Sequence, residues 1–221
     1  LYGHEFCIYD PLVNVPLMIK HPALDADRRT DTVELVDLYH TVLDALDVPG
    51  GDPVAPGETA VARDPTRSLL SDDYRDFDAA TDPDPGQAAA GSGAYGFVEY
   101  SRPVVELTQL EEKAAAAGID LDEASRFYSR MRAARRPDAK YVRIDRIDDE
   151  AYRLDDDPGE RADLAGADDD AIATTERVLA DFEARVGGAW TGVAAADVTD
   201  DAVADMDEEA RERLRDLGYL E

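Results

Sequence analysis

The chain has 221 residues, 51 acidic against 23 basic, for a formal net charge of -28, and 44% are hydrophobic. The length suits one domain or two small ones, and the charge repels nucleic acid and anionic membranes, which both need cationic contacts. A single cysteine, Cys7, excludes an internal disulfide framework and a cysteine-cluster metal site, and no run approaches the ~20 apolar residues of a membrane-spanning helix. The excess acid is spread along the whole chain and lysine occurs only at Lys20, Lys113 and Lys140, so we expect a protein adapted to high salt, where counter-ions screen self-repulsion.

Taken in order, Gly3 to Lys20 reads as a loop carrying His4 that runs into a strand. Val13, Val15, Leu17 and Ile19 alternate with Asn14, Pro16 and Met18, and Pro16 places an edge or irregularity near the strand's start. A polar loop from His21-Pro22 reaches Thr30. The spacing of Val33, Leu35, Val36, Tyr39, Val42, Leu43 and Leu46 predicts a helix over about 32–47, capped by Asp31 with Glu34 and stopped by Pro49-Gly50-Gly51. Breaker-rich stretches at 49–66 and 81–93 read as linker and loose loop, with a short element at Leu69-Leu70 between them.

Gly96 to Tyr100 reads as a strand and Val104 to Ala117 as a helix ending at Gly118. Asp122 to Arg136 reads as a further helix, with Ala124, Phe127, Tyr128 and Met131 on one face. Tyr141 to Ile147 is the cleanest alternating strand: Tyr141, Arg143, Asp145 and Ile147 share one face, Val142, Ile144 and Arg146 the other. Asp148-Asp149-Glu150 suits a hairpin loop before a partner strand, Ala151 to Leu154. Asp157-Pro158-Gly159-Glu160 is turn chemistry and is given no catalytic part. Ile172, Thr175, Leu179, Phe182 and Val186 mark the packed face of a helix that Gly187-Gly188 ends. A last helix from about Asp207 carries Ala210, Leu214 and Leu217.

Among residues that could carry chemistry, His4 stands first. A protonated imidazole donates hydrogen bonds to sulfate or phosphate oxygens and protonates a leaving oxygen. The competing reading is a histidine that caps its loop or packs on Tyr2 or Phe6. His21 reads as a loop residue and His40 as a helix histidine, and the three histidines have no metal-ligand spacing. Lys20 reads as solvated at a strand end, and Trp190 as packed against the sheet. Adjacent acids such as Asp72-Asp73 and Asp148-Asp149 are expected by chance at this composition.

Two blocks carry a resemblance. His4, Tyr9-Asp10 and Val15-Pro16-Leu17 resemble the segment that follows the Asp-His-Gly metal motif in the sulfatase family, within the alkaline-phosphatase-like superfamily. Asn14 stands where that family usually has Arg. Val36 to Leu46 resembles the family's Asp-Leu-x-Pro-Thr-Leu-Leu helix, with His40 at the Pro, and Pro56-Gly57 lies in a piece similar to its Pro-x-x-Gly-x-Ser/Thr-Leu element. Ala139-Lys140-Tyr141-Val142 and Ala151 to Leu164 resemble a Tyr-Lys-Tyr/Leu-Ile strand and a Leu-Tyr-Asp-Leu-x-x-Asp-Pro-x-Glu-x-x-Asn-Leu motif, with Asp163 at the Asn. The C-terminus resembles an Arg-Leu-Arg-x-Leu-Gly-Tyr ending. The blocks cover 3–48 and 139–165, while 66–138 carries little of the likeness.

The resemblance implies an α/β fold in which 1–65 finish a large sulfatase domain and 66–93 form a linker and mobile loop. Residues 94–186 would form a small antiparallel-sheet subdomain packed on one long helix, and 187–221 a tail with a terminal helix. It implies a metal-dependent sulfuric ester hydrolase acting on a small-molecule sulfate or phosphate ester; the acidic charge argues against a nucleic-acid or membrane partner, and cytoplasmic placement is favoured with the compartment left open. His4 would bind the substrate anion. The divalent cation, usually calcium, and the nucleophile, an oxidised cysteine or a serine, would belong to residues upstream of Leu1. Because the sequence starts at Leu1 and carries none of these, we expect the C-terminal portion of a longer protein, inactive alone. A phosphodiesterase or phosphotransferase of the same superfamily, and a non-catalytic remnant that binds a partner, stay open beside this reading.

Overall fold

The computed structural model describes residues 6–28, 32–48, 65–71, 95–101 and 103–186. His4, Trp190, the breaker-rich stretches 49–64 and 81–93, and the expected last helix lie outside the described residues. Those described form helices α1 (Asp10–Val13), α2 (Leu35–Ala45), α3 (Val104–Ala116) and α4 (Asp170–Val186), and strands β1 (Gly96–Tyr100), β2 (Met131–Arg135), β3 (Ala139–Ile144) and β4 (Glu150–Arg153). The protein is thus a mixed α and β structure. The strands form one sheet in the order β1-β2-β3-β4, with every neighbouring pair antiparallel.

Register divides the sheet into two faces, because successive side chains on a strand point to opposite sides. Phe97 is opposite Ala134, Ala134 opposite Tyr141, and Tyr141 opposite Ala151, so these four share one face. Helix α4 lies on it. Ile172 and Leu179 are buried against Ala134, Ala139, Tyr141 and Ala151, and the rings of Phe97 and Phe182 stack at 4.2 Å. The three alanines leave room for the helix backbone to approach. Asp169 starts α4, its carboxylate accepting the N–H groups of Ala171 and Ile172.

The opposite face carries Val98, Met131, Ala133, Val142 and Ile144, and it is covered by the segment Phe6–Asn14. Ile8 is buried in this second cluster and Val13 packs at its border. Phe6 meets Phe127 edge-on at 5.3 Å, and its N–H donates to the Tyr100 hydroxyl. Alternation in Tyr141–Ile144 thus serves two cores at once.

The structure corrects three expectations. The segment Val13 to Ile19 is not a strand: after the single turn of α1 it runs without regular structure, and Met18 is 94% exposed. No strand among the described residues pairs with it, and a lone extended segment has no ladder to hold it. Asp122 to Arg136 is not a helix. It makes one 3-10 turn, Arg126–Tyr128, and then becomes β2. Met, Ala and Arg favour helices, but hydrogen bonding to β1 and β3 on both sides overrides that preference. Finally, α2 starts at Leu35 rather than 32, with the Glu34 N–H donating to Asp37.

Helix α2 is amphipathic as expected, but among the described residues its polar side is the buried one. Asp37 and Thr41 are buried, while Leu35, Val42 and Leu46 are 76%, 55% and 69% exposed. The turn at Pro65–Arg67 explains the inversion. Arg67 pairs with Asp37 at 2.8 Å and Glu34 at 2.7 Å, the buried Ser68 hydroxyl donates to Asp44, and the Leu69 N–H donates to Thr41. Glu34 also accepts the Phe97 N–H, tying α2 to β1. The close approach there needs a glycine: a Cβ on Gly96 would meet Thr32 Cγ2 at 2.9 Å.

Candidate functional site

The most unusual chemistry in the described residues is a largely buried charge cluster between the segment Phe6–Asn14 and the sheet. Lys140 lies on β3 with the parity of Val142 and Ile144, so its side chain enters the second core and is fully buried. Its Nζ donates to the Ile8 carbonyl at 2.6 Å and to Asp10 Oδ1 at 3.2 Å, and lies 2.8 Å from Glu160 Oε1. Two N–H groups therefore donate to oxygens, while the Glu160 contact is an ion pair in which Oε1 accepts no hydrogen bond. Arg135, from β2, pairs with Asp10 Oδ2 at 3.0 Å, and the Asp10 N–H donates to Glu160 Oε2. Two cations and two carboxylates neutralise one another, which is how charges survive out of water.

Local sequence explains how each member gets there. Pro11 sits at the start of α1, turning the chain so that the Asp10 side chain points back at the sheet. Asp157 accepts the N–H groups of Arg161 and Ala162, closing a tight turn, and Glu160 takes a positive φ of 50°. That conformation costs a non-glycine residue on the order of 1 kcal/mol, and here it aims the carboxylate inward at Lys140. Burial pushes the Asp10 carboxyl up, but the Arg135 and Lys140 cations outweigh it and hold the group below its ordinary value.

A second group borders the first. Tyr9 and Tyr152 hydroxyls donate to Glu150 Oε2 at 3.2 and 2.9 Å, Arg126 pairs with Glu150 Oε1, and its guanidinium lies 5.0 Å from the Tyr9 ring centre. Burial, with Glu150 adding, pushes both phenols up, so both stay protonated at neutral pH. A third group lies on the α4 face, where Arg143 pairs with the buried Glu183 and with Asp149.

These groups bind the fold together rather than present a reactive atom. The Lys140 ammonium is fully buried and is engaged by the Ile8 carbonyl, Asp10 and Glu160. No group of three or more His, Cys, Asp or Glu among the described residues could hold a metal ion. His21 accepts the Ala23 N–H, His40 packs edge-on to Tyr39, and Lys20 is exposed; none joins the cluster. No helix among the described residues is long and apolar enough to cross a membrane. Sequence reasoning missed Lys140, Glu160 and Arg135. The available signal was parity, since Lys140 alternates in step with Val142 and Ile144.

Comparison with protein-family models, with curated proteins and with solved structures finds no match.

Proposed function

We propose that this chain is the C-terminal part of a sulfatase-like, metal-dependent hydrolase of sulfuric esters, and that its described residues form the joint that holds the two resemblance blocks together. One observation supports this most directly. Asp10, from the Tyr-Asp pair of the first block, meets Lys140 and Glu160, which occupy the Lys and Glu places of the second block's motifs, 130 and 150 residues further along the chain. Residues picked out by likeness alone thus explain one another physically. In this reading residues 1–65 finish the large domain, 94–186 are the small subdomain, and His4 assists in binding the ester's anion. The nucleophile and the divalent cation belong to residues other than those described.

A second reading, a partner-binding chain without catalysis, draws on the outward apolar side of α2 and on Met18. Native mass separates the two. An antibody raised against Tyr152 to Asp163 should detect a band well above 24.1 kDa, and the protein in that band should hydrolyse an aryl sulfate in a metal-dependent way. A band at 24.1 kDa without turnover favours the second reading. Hydrolysis of phosphodiesters but not sulfates by the larger species would move the assignment to the phosphoesterase branch.

A further inference from the structure

The segment Phe6–Asn14 packs on one face of the sheet yet adds no strand to it. Its ties run through side chains and isolated polar groups: Ile8 in the apolar cluster, the Phe6 N–H on Tyr100, Tyr9 on Glu150, the Ile8 carbonyl on Lys140, and Asp10 on Arg135, Lys140 and Glu160. The other face has its own core with α4, and the strand ladders are complete without the segment. Beyond α1 the chain runs on through exposed, irregular residues as far as Asp27 and Arg28. Structure of this kind, with no backbone ladder of its own and with polar anchors, belongs to the low end of local opening free energies.

We propose that Phe6–Asn14 is a strap that opens as a unit, uncovering Cys7 and the apolar face beneath it while the sheet and α4 stay folded, and that the Asp10–Lys140–Glu160–Arg135 cluster is its latch. The latch has an all-or-none character. Losing one ion of a buried set strands the others, so intermediate states with part of the cluster intact are disfavoured. Acid is the direct way to release it. Asp10 faces Arg135 from β2, Lys140 from β3, Glu160 from the turn after β4, and Asn14 on its own segment. Tyr9 faces Arg126, Glu150 and Tyr152. Protonating Asp10 leaves both cations under-neutralised. Because its folded-state value lies below the ordinary one, the latch is at full strength above the ordinary carboxylate range of about pH 4 and weakens as the pH falls through the folded value.

Cys7 is buried, lies within the strap and is the chain's one cysteine, so its reactivity reads strap opening without interference. The experiment titrates the 221-residue chain in molar potassium chloride. Thiol exposure is followed with 4,4′-dithiodipyridine, and helix content by far-ultraviolet circular dichroism. The expected result is that Cys7 becomes reactive at a higher pH than that at which ellipticity is lost. Lys140→Met should raise its reaction rate at neutral pH about a hundredfold with ellipticity retained. Coincident loss of thiol protection and ellipticity in the acid titration overturns the proposal, as does a folded K140M variant in which Cys7 stays protected. Should K140M lose its ellipticity at neutral pH, Asp10→Asn, which keeps the shape and removes the charge, decides the matter. Faster thiol reaction in a folded chain supports the latch, and unchanged protection refutes it.

Discussion

The two faces of one sheet are held by different physics. On the α4 face, small strand residues Ala134, Ala139 and Ala151 admit a helix whose Ile172 and Leu179 fill the gap, so apolar volume supplies the cohesion. On the strap face an apolar cluster is joined to a neutral set of four charges, three buried and the fourth, Arg135, half-buried. Apolar packing degrades gradually as atoms are removed. A buried ion cluster fails abruptly, because each partner's presence is the condition for the others being tolerable.

Substitutions should separate the two behaviours. Lys140→Met is expected to have the largest effect, about 3–5 kcal/mol, because it leaves Asp10 and Glu160 buried with one cation fewer; urea denaturation gives the value. Leu179→Ala should cost about 3 kcal/mol through the cavity left beneath α4. It should lower the urea midpoint without exposing the Cys7 thiol, so a reactive Cys7 in that variant would mean that the faces are not independent.

Acid should sharpen the contrast. Asp10 sits below its ordinary value in the folded chain, so its stabilising contribution is present above the ordinary value and is lost as the pH falls through the folded one. A denaturation series from neutral pH to about pH 3 should show the native protein losing stability while Asp10→Asn loses less. On the α4 face the matching group is Asp169, lowered chiefly by the Ile172 N–H, with Arg153 adding. It is half-buried at the helix start, and Asp169→Ala should cost about 1 kcal/mol, the usual value of an N-cap, read as a small shift in thermal midpoint.

The same contrast explains what could be read from the sequence. The α4 face was legible because both its signals are periodic: the helical spacing of Ile172, Thr175 and Leu179, and the alternation of Tyr141 to Ile144. The strap face was not, because it is built by contacts between Asp10 and residues far along the chain, and no local pattern encodes a partner at that distance. Strand β2 failed for a related reason. Met131-Arg132-Ala133-Ala134-Arg135 has the composition of a helix, and only its place between β1 and β3 makes it a strand. Of the candidate site, the likeness to a known family located Asp10, Lys140 and Glu160 within motifs but gave no hint that they touch. Glu160 in particular read as turn punctuation, because its role depends on a backbone conformation that its residue type rarely adopts.

The inverted burial of α2 has a consequence for how the chain behaves in concentrated salt. Salt screens the mutual repulsion of 51 acidic residues and favours the compact state, yet strongly hydrated salts also promote association between apolar surfaces such as that of Leu35, Val42 and Leu46. Both trends lower solubility as salt rises, because unscreened charge keeps dilute chains apart. Light scattering across a sulfate gradient should therefore rise throughout, and Leu35→Lys with Leu46→Lys should move the onset of clustering to higher salt.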